Sequence, residues 1–76
     1  MASCVIIRDN ESNRAIKIRP LKWEDILEQA SSLMRAPEYN IALKELKSGE
    51  VINSEKKYDD LCAAPEPVEL VIEIVD

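Results

Sequence analysis

The segment Val68-Glu69-Leu70-Val71-Ile72-Glu73-Ile74-Val75 restricts the fold of this chain more than any other stretch. Its alternation puts Leu70, Ile72 and Ile74 on one face, and Glu69, Val71, Glu73 and Val75 on the other. A strand with apolar residues on both faces belongs inside a sheet, not at its edge. The remaining residues must therefore supply strands on both sides of it and a layer to cover one face. With 76 residues in all, there is room for one hydrophobic core and hence one domain, spanning 1–76.

The flanking strands are legible. Cys4-Val5-Ile6-Ile7 is a short β-branched run. Asp9-Asn10-Glu11-Ser12-Asn13 collects turn-forming residues, and Arg14-Ala15-Ile16-Lys17-Ile18-Arg19 then alternates, with Ile16 and Ile18 inward and Lys17 and Arg19 outward. Pro20 withholds a backbone donor and ends that strand. The period then changes. Trp23, Ile26, Leu27, Ala30, Leu33 and Met34 form one stripe of an amphipathic helix. Glu24 and Asp25 suit its positive end and Arg35 its negative end, and Pro37 is expected to stop it. Beyond it, Tyr39 to Leu46 reads as extended, Lys47-Ser48-Gly49 as a turn and Glu50-Val51-Ile52 as a returning strand. Asn53 and Ser54 are placed to cap a helical turn through Leu61, with Tyr58, Leu61 and Cys62 inward. The expected architecture is α+β: a mixed sheet of four or five strands packed on one amphipathic helix. The last strand is expected to lie parallel to the first, because the intervening chain is long enough for a crossover.

Composition excludes several kinds of chemistry. The chain has no histidine, so it lacks the imidazole of a Ser-His or Cys-His couple and of a His-ligated zinc site. One glycine, Gly49, is too few for a phosphate-binding loop or a dinucleotide fingerprint. Glu24 and Glu28 meet at helical i, i+4 spacing, but on the solvated flank, where nothing tunes a carboxylate for acid–base work. We expect no enzymatic activity, no metal and no cofactor. A net charge of −5 argues against nucleic-acid binding, and no apolar stretch is long enough for a membrane-spanning helix. Cys4 and Cys62 have no close-spaced Cys or His partners. They are expected to be free thiols in a reducing compartment, cytoplasmic or nuclear, with a disulfide between the two as the lesser alternative.

The element order resembles the ubiquitin-like β-grasp superfamily over nearly the whole chain. Within it, Arg19-Pro20-Leu21-Lys22-Trp23-Glu24-Asp25-Ile26 looks like the strand-to-helix passage of Phox/Bem-type interaction domains. Leu46 to Glu55, followed by Tyr58-Asp59-Asp60-Leu61, is similar to the turn, strand and acidic segment of CIDE-N domains. The turn Lys47-Ser48-Gly49-Glu50 lacks the tight acidic cluster of the Phox/Bem type, and Lys56 and Lys57 dilute the acidic segment. The resemblance implies protein binding in general rather than one subfamily. Ubiquitin-like modifiers and carriers end in an activated Gly-Gly tail. This chain ends Glu73-Ile74-Val75-Asp76, so a free-standing modifier requires a missing tail, and a domain excised from a longer protein is the favoured expectation.

Charge is divided along the chain. Residues 1–35 hold six Lys or Arg against five Asp or Glu, a sum of +1, and residues 36–76 hold four against ten, a sum of −6. The first hairpin is expected to present a basic partner-binding face of Arg8, Lys17 and Arg19, with Arg14 and Lys22 near its ends. A second, acidic face is expected from Glu55, Asp59, Asp60, Glu66, Glu69 and Glu73. Separate patches of opposite sign steer a protein partner with an acidic or otherwise complementary surface. The resemblance implies a head-to-tail contact between copies, which does not close by two-fold symmetry. An alternative use of the hairpin, implied by Ras-type GTPase-binding domains, is addition of its second strand to the edge of a partner's sheet, with Arg14, Lys17 and Arg19 assisting.

Overall fold

The structure, a computed structural model, describes residues 1–75. The closing strand, β5 (Val68–Ile74), lies at the centre of a five-stranded sheet. Parallel to it on one side runs β1 (Val5–Asp9), and antiparallel on the other runs β3 (Ile41–Glu45). The outer positions belong to β2 (Ala15–Ile18), next to β1, and the two-residue β4 (Val51–Ile52), next to β3. Of the four or five strands expected, five form, and the mixed sheet has the predicted parallel pairing of first and last strands.

The inner face follows from the alternation. Val5 and Ile7 on β1, Val68, Leu70 and Ile72 on β5, Leu43 on β3 and Ile52 on β4 are all buried. Ile26 and Ala30 close that face from α1 (Trp23–Met34), whose apolar stripe is the predicted one. Ile74, expected to continue the inner row, is 44% exposed at the end of the strand, where it lines a depression with Met34, the last residue of α1.

Helix α1 ends differently from the sequence expectation. Arg35 is not part of its last helical turn but adopts a left-handed conformation, φ 54°. Ala36 N–H donates to Ser31 O at 3.2 Å and Arg35 N–H to Ser32 O at 3.4 Å, the two bonds of a left-handed helix terminus. The helix has therefore already stopped two residues before Pro37. Tyr39, read as the start of a strand, instead sits in a single 3-10 turn, Glu38–Asn40, and is 83% exposed. Pro37 enters that turn with extended backbone, and Asn40 N–H bonds to Pro37 O at 2.9 Å. This local closure overrides the apparent alternation through Ile41 and Leu43.

The helical turn expected after Ser54 is a full second helix, α2 (Glu55–Cys62). The Ser54 hydroxyl accepts from the Lys57 N–H at 3.3 Å, as an N-cap should. Tyr58, at 1% exposure, anchors α2 to the core. Its ring lies 5.5 Å from that of Trp23, and its hydroxyl donates to Leu21 O at 2.6 Å.

Asp9, a turn residue by its sequence neighbours, occupies the last position of β1 and is 4% exposed. It organises the connection to β2. Ser12 Oγ donates to Asp9 Oδ2, Glu11 N–H donates to Oδ1 at 2.9 Å, and Arg14 Nη2 lies 3.5 Å from Oδ2. These partners, Ser12 foremost, hold the carboxyl below its usual pKa.

Candidate protein-binding surfaces

The register assigns each predicted residue to a surface. On the outer face of the sheet, away from α1, one row crosses all five strands: Ala15, Arg8, Val71, Lys44 and Val51. The next row is Lys17, Ile6 and Glu69, and the row on the other side pairs Glu73 with Ala42. Arg8 thus stands opposite Val71, between Glu69 and Glu73 along β5. Lys44 Nζ reaches Glu73 Oε1 at 3.2 Å. Basic and acidic residues that lie far apart in the sequence are interleaved on one face, because the parallel β1–β5 pairing brings the two chain ends together. Lys44 belongs to this face and escapes the sequence reading. Only the pairing with β5 reveals its role, since nothing in Ile41 to Leu46 distinguishes it locally.

The other predicted residues fall at the margin of this face or elsewhere. Lys17 and Arg19 are exposed on and just beyond the edge strand β2, and neither forms a salt bridge among the described residues. Arg14 turns toward the helix layer. Its Nε donates to Ser12 Oγ at 3.0 Å and its Nη2 to Leu33 O at 3.3 Å, so it fastens the hairpin to the end of α1. Glu66, in the connection before β5, meets Lys47 Nζ at 3.5 Å. Glu55, Asp59 and Asp60 are exposed on α2. Lys22, predicted at the border of the basic face, lines a depression with Trp23, Glu24, Glu55 and Asp59.

Two further charged surfaces are exposed. One is the β2 edge, where Lys17 closes the outer-face row through Ile6 and Glu69 and Arg19 follows the strand. The other is the exposed side of α2, with Glu55, Asp59 and Asp60. Cys4 and Cys62 are both free and half-buried. Among the described residues no group of His, Cys, Asp or Glu has the arrangement to hold a metal ion, and no helix is long and apolar enough to cross a membrane.

No family model matches the chain, and no curated protein matches it significantly. Solved structures do. The chain is similar over its whole length to the solution structure of the N-terminal ubiquitin-like domain in the 4931431F19Rik protein, with a TM-score of 0.68 at 6% identity, covering 79% of that chain. The fold is a ubiquitin-like β-grasp. At this identity the likeness concerns the fold alone. The topology of the ubiquitin-like domain explains why its surfaces are distributed as they are. The helix layer shields one sheet face, while β2 and the short β4 leave the edges open.

Proposed function

We propose that this ubiquitin-like domain is a non-catalytic protein-recognition module. Lys17 and Arg19 on the β2 edge bind an acidic protein surface. Glu55, Asp59 and Asp60 on α2 offer the matching surface to another copy, giving head-to-tail association. The observation that carries the reading is the state of these side chains. Arg14, Lys44 and Lys47 are engaged in ion pairs within the domain, whereas Lys17 and Arg19 are exposed and make none among the described residues. Exposed charges of this kind add little to folding and much to the attraction of a complementary partner.

The test is the mass of the domain in solution. At low ionic strength it should rise with protein concentration, and at high salt it should fall to that of the monomer, because the contact is made by screened, exposed charges. Replacing Lys17 and Arg19 together by Glu should leave a monomer at every salt concentration. A mass independent of salt and of these substitutions would overturn the reading.

A second reading has its own support. β2 is an edge strand, so its outward N–H and C=O groups are unpaired within the sheet. This favours strand addition to a partner's sheet, as in GTPase-binding domains of this fold. Amide exchange distinguishes the two readings, since strand addition protects the outward amides of β2 and a side-chain contact does not.

A further inference from the structure

Two depressions of different chemistry meet at Trp23. The first is apolar, about 230 Å³, and lies between the start of α1 and the β3–β4 edge. It is lined by Trp23, Leu27, Ile41, Leu43, Val51 and Ile52, among others. The second, about 410 Å³, lies where α1 approaches α2 and is lined by Lys22, Trp23, Glu24, Glu55 and Asp59. Trp23 is half-buried and stacked at a tilt on Tyr58, so its indole forms the ridge between them. The ring is held in place by a buried neighbour that is itself hydrogen-bonded to Leu21, which makes it a pre-ordered contact surface.

We infer that this composite surface, which includes Glu55 and Asp59 from the acidic side of α2, takes a basic peptide segment presenting an apolar side chain beside an arginine or lysine. Charge complementarity decides the occupant. The acidic depression carries Glu24, Glu55 and Asp59 against the single cation Lys22, and none of the four forms a salt bridge among the described residues. The apolar groove next to it accepts an aliphatic or aromatic anchor, while the carboxylates accept the adjacent cation. Tryptophan beside an apolar groove is a frequent centre of binding energy. An acidic peptide would place its charges against three carboxylates and is disfavoured.

This inference rests on the reading of the domain as a recognition module; it shares Glu55 and Asp59 with the acidic surface proposed for self-association, but it needs neither Lys17 nor Arg19. Trp23 is the only tryptophan, so its emission reports occupancy directly. Three capped octapeptides serve as probes: alternating Leu and Arg, alternating Leu and Glu, and alternating Ser and Arg. The Leu/Arg peptide should shift the emission to the blue and saturate. The other two should bind at least tenfold more weakly.

Neutralising Glu24, Glu55 and Asp59 together (Glu24→Gln, Glu55→Gln, Asp59→Asn) should weaken the Leu/Arg peptide at least tenfold. Neutralising Glu11 and Glu66, which line neither depression, should change its affinity less than twofold. Val51→Ala, at the rim of the groove, should weaken it several-fold. The variant with Lys17→Glu and Arg19→Glu, which cannot compete for Glu55 and Asp59 through its own basic surface, should bind it at least as tightly as the wild type does, so a failure of head-to-tail association is separable from a failure here. Equal affinity for the Leu/Arg and Ser/Arg peptides, an unchanged affinity in the triple variant, or no change in Trp23 emission would overturn the inference.

Discussion

The phenol of Tyr58 donates a 2.6 Å hydrogen bond to the backbone carbonyl of Leu21, 37 residues earlier in the chain. The bond ties α2 to the passage between β2 and α1, and it satisfies the one polar group of a ring that is otherwise buried in the core. Burial, the neighbouring Cys62 and Asp59 push the phenol well above its ordinary pKa, while the bond to Leu21 pulls the other way. Tyr58→Phe removes the hydroxyl and leaves the Leu21 carbonyl without this donor. It is expected to cost about 1–2 kcal/mol in chemical denaturation. The raised pKa has a further consequence. The neutral phenol is favoured in the folded state, so its contribution is complete below the unfolded value near 10 and is lost as pH rises from there through the higher, folded value. Wild-type stability should fall above pH ~10 more steeply than that of Tyr58→Phe.

Asp9 predicts the opposite end of the pH scale. Ser12 Oγ, the Glu11 amide and Arg14 favour its charged form, so its folded pKa is depressed. Its contribution is therefore present above the unfolded carboxylate value and is lost as pH falls through the lower, folded value. Asp9→Asn should lower the melting temperature at neutral pH and flatten the acid limb of the stability profile. An unchanged acid limb would show that the hairpin does not depend on this carboxylate.

Two left-handed residues should respond with opposite signs. Arg35 adopts φ 54°, where a side chain is strained and glycine is not. Arg35→Gly is expected to stabilise the domain by about 0.5–1 kcal/mol, read from the denaturation midpoint. Gly49 adopts φ 73°, with open space where a Cβ would sit, so Gly49→Ala meets no clash but takes on the backbone strain. It is expected to destabilise by about 1 kcal/mol.

The fold is more legible in the sequence than the site, and particular residues show why. Leu70 and Ile72 announce a central strand, and Trp23, Ile26, Leu27 and Ala30 announce a covering helix, because burial imposes a period on many residues at once. Tyr39 misleads because one turn closed by Pro37 and Asn40 leaves no period to read. Asp9 misleads because a residue suited to a turn serves equally well at a strand end, holding the turn from outside. The charges fail differently. That Glu73 faces Lys44, and that Arg8 lies between Glu69 and Glu73, depends on register across non-adjacent strands. Half-chain sums of +1 and −6 describe two charged halves, but the parallel β1–β5 pairing folds part of the acidic half onto the basic one. Which charges stay exposed and unpaired among the described residues, Lys17, Arg19, Lys22, Glu55, Asp59 and Asp60 among them, depends on the topology.

The basic edge makes one more prediction about folding. Lys17 and Arg19 form no salt bridge among the described residues and are exposed, so replacing both by Glu should change stability by no more than about 0.5 kcal/mol per site. Chemical denaturation checks this, and it ensures that any loss of association reflects the surface rather than the fold.

The most direct test of head-to-tail recognition mixes two variants, each with one surface disabled. One carries Lys17→Gln and Arg19→Gln, the other Glu55→Gln, Asp59→Asn and Asp60→Asn, and each alone should sediment as a monomer at low salt. Mixed in equal amounts, they retain one intact basic and one intact acidic surface between them, and they should form a 1:1 dimer that dissociates at high salt. A mixture that remains monomeric while the wild type associates would contradict the pairing of these two surfaces, and a monomeric wild type would contradict self-association itself.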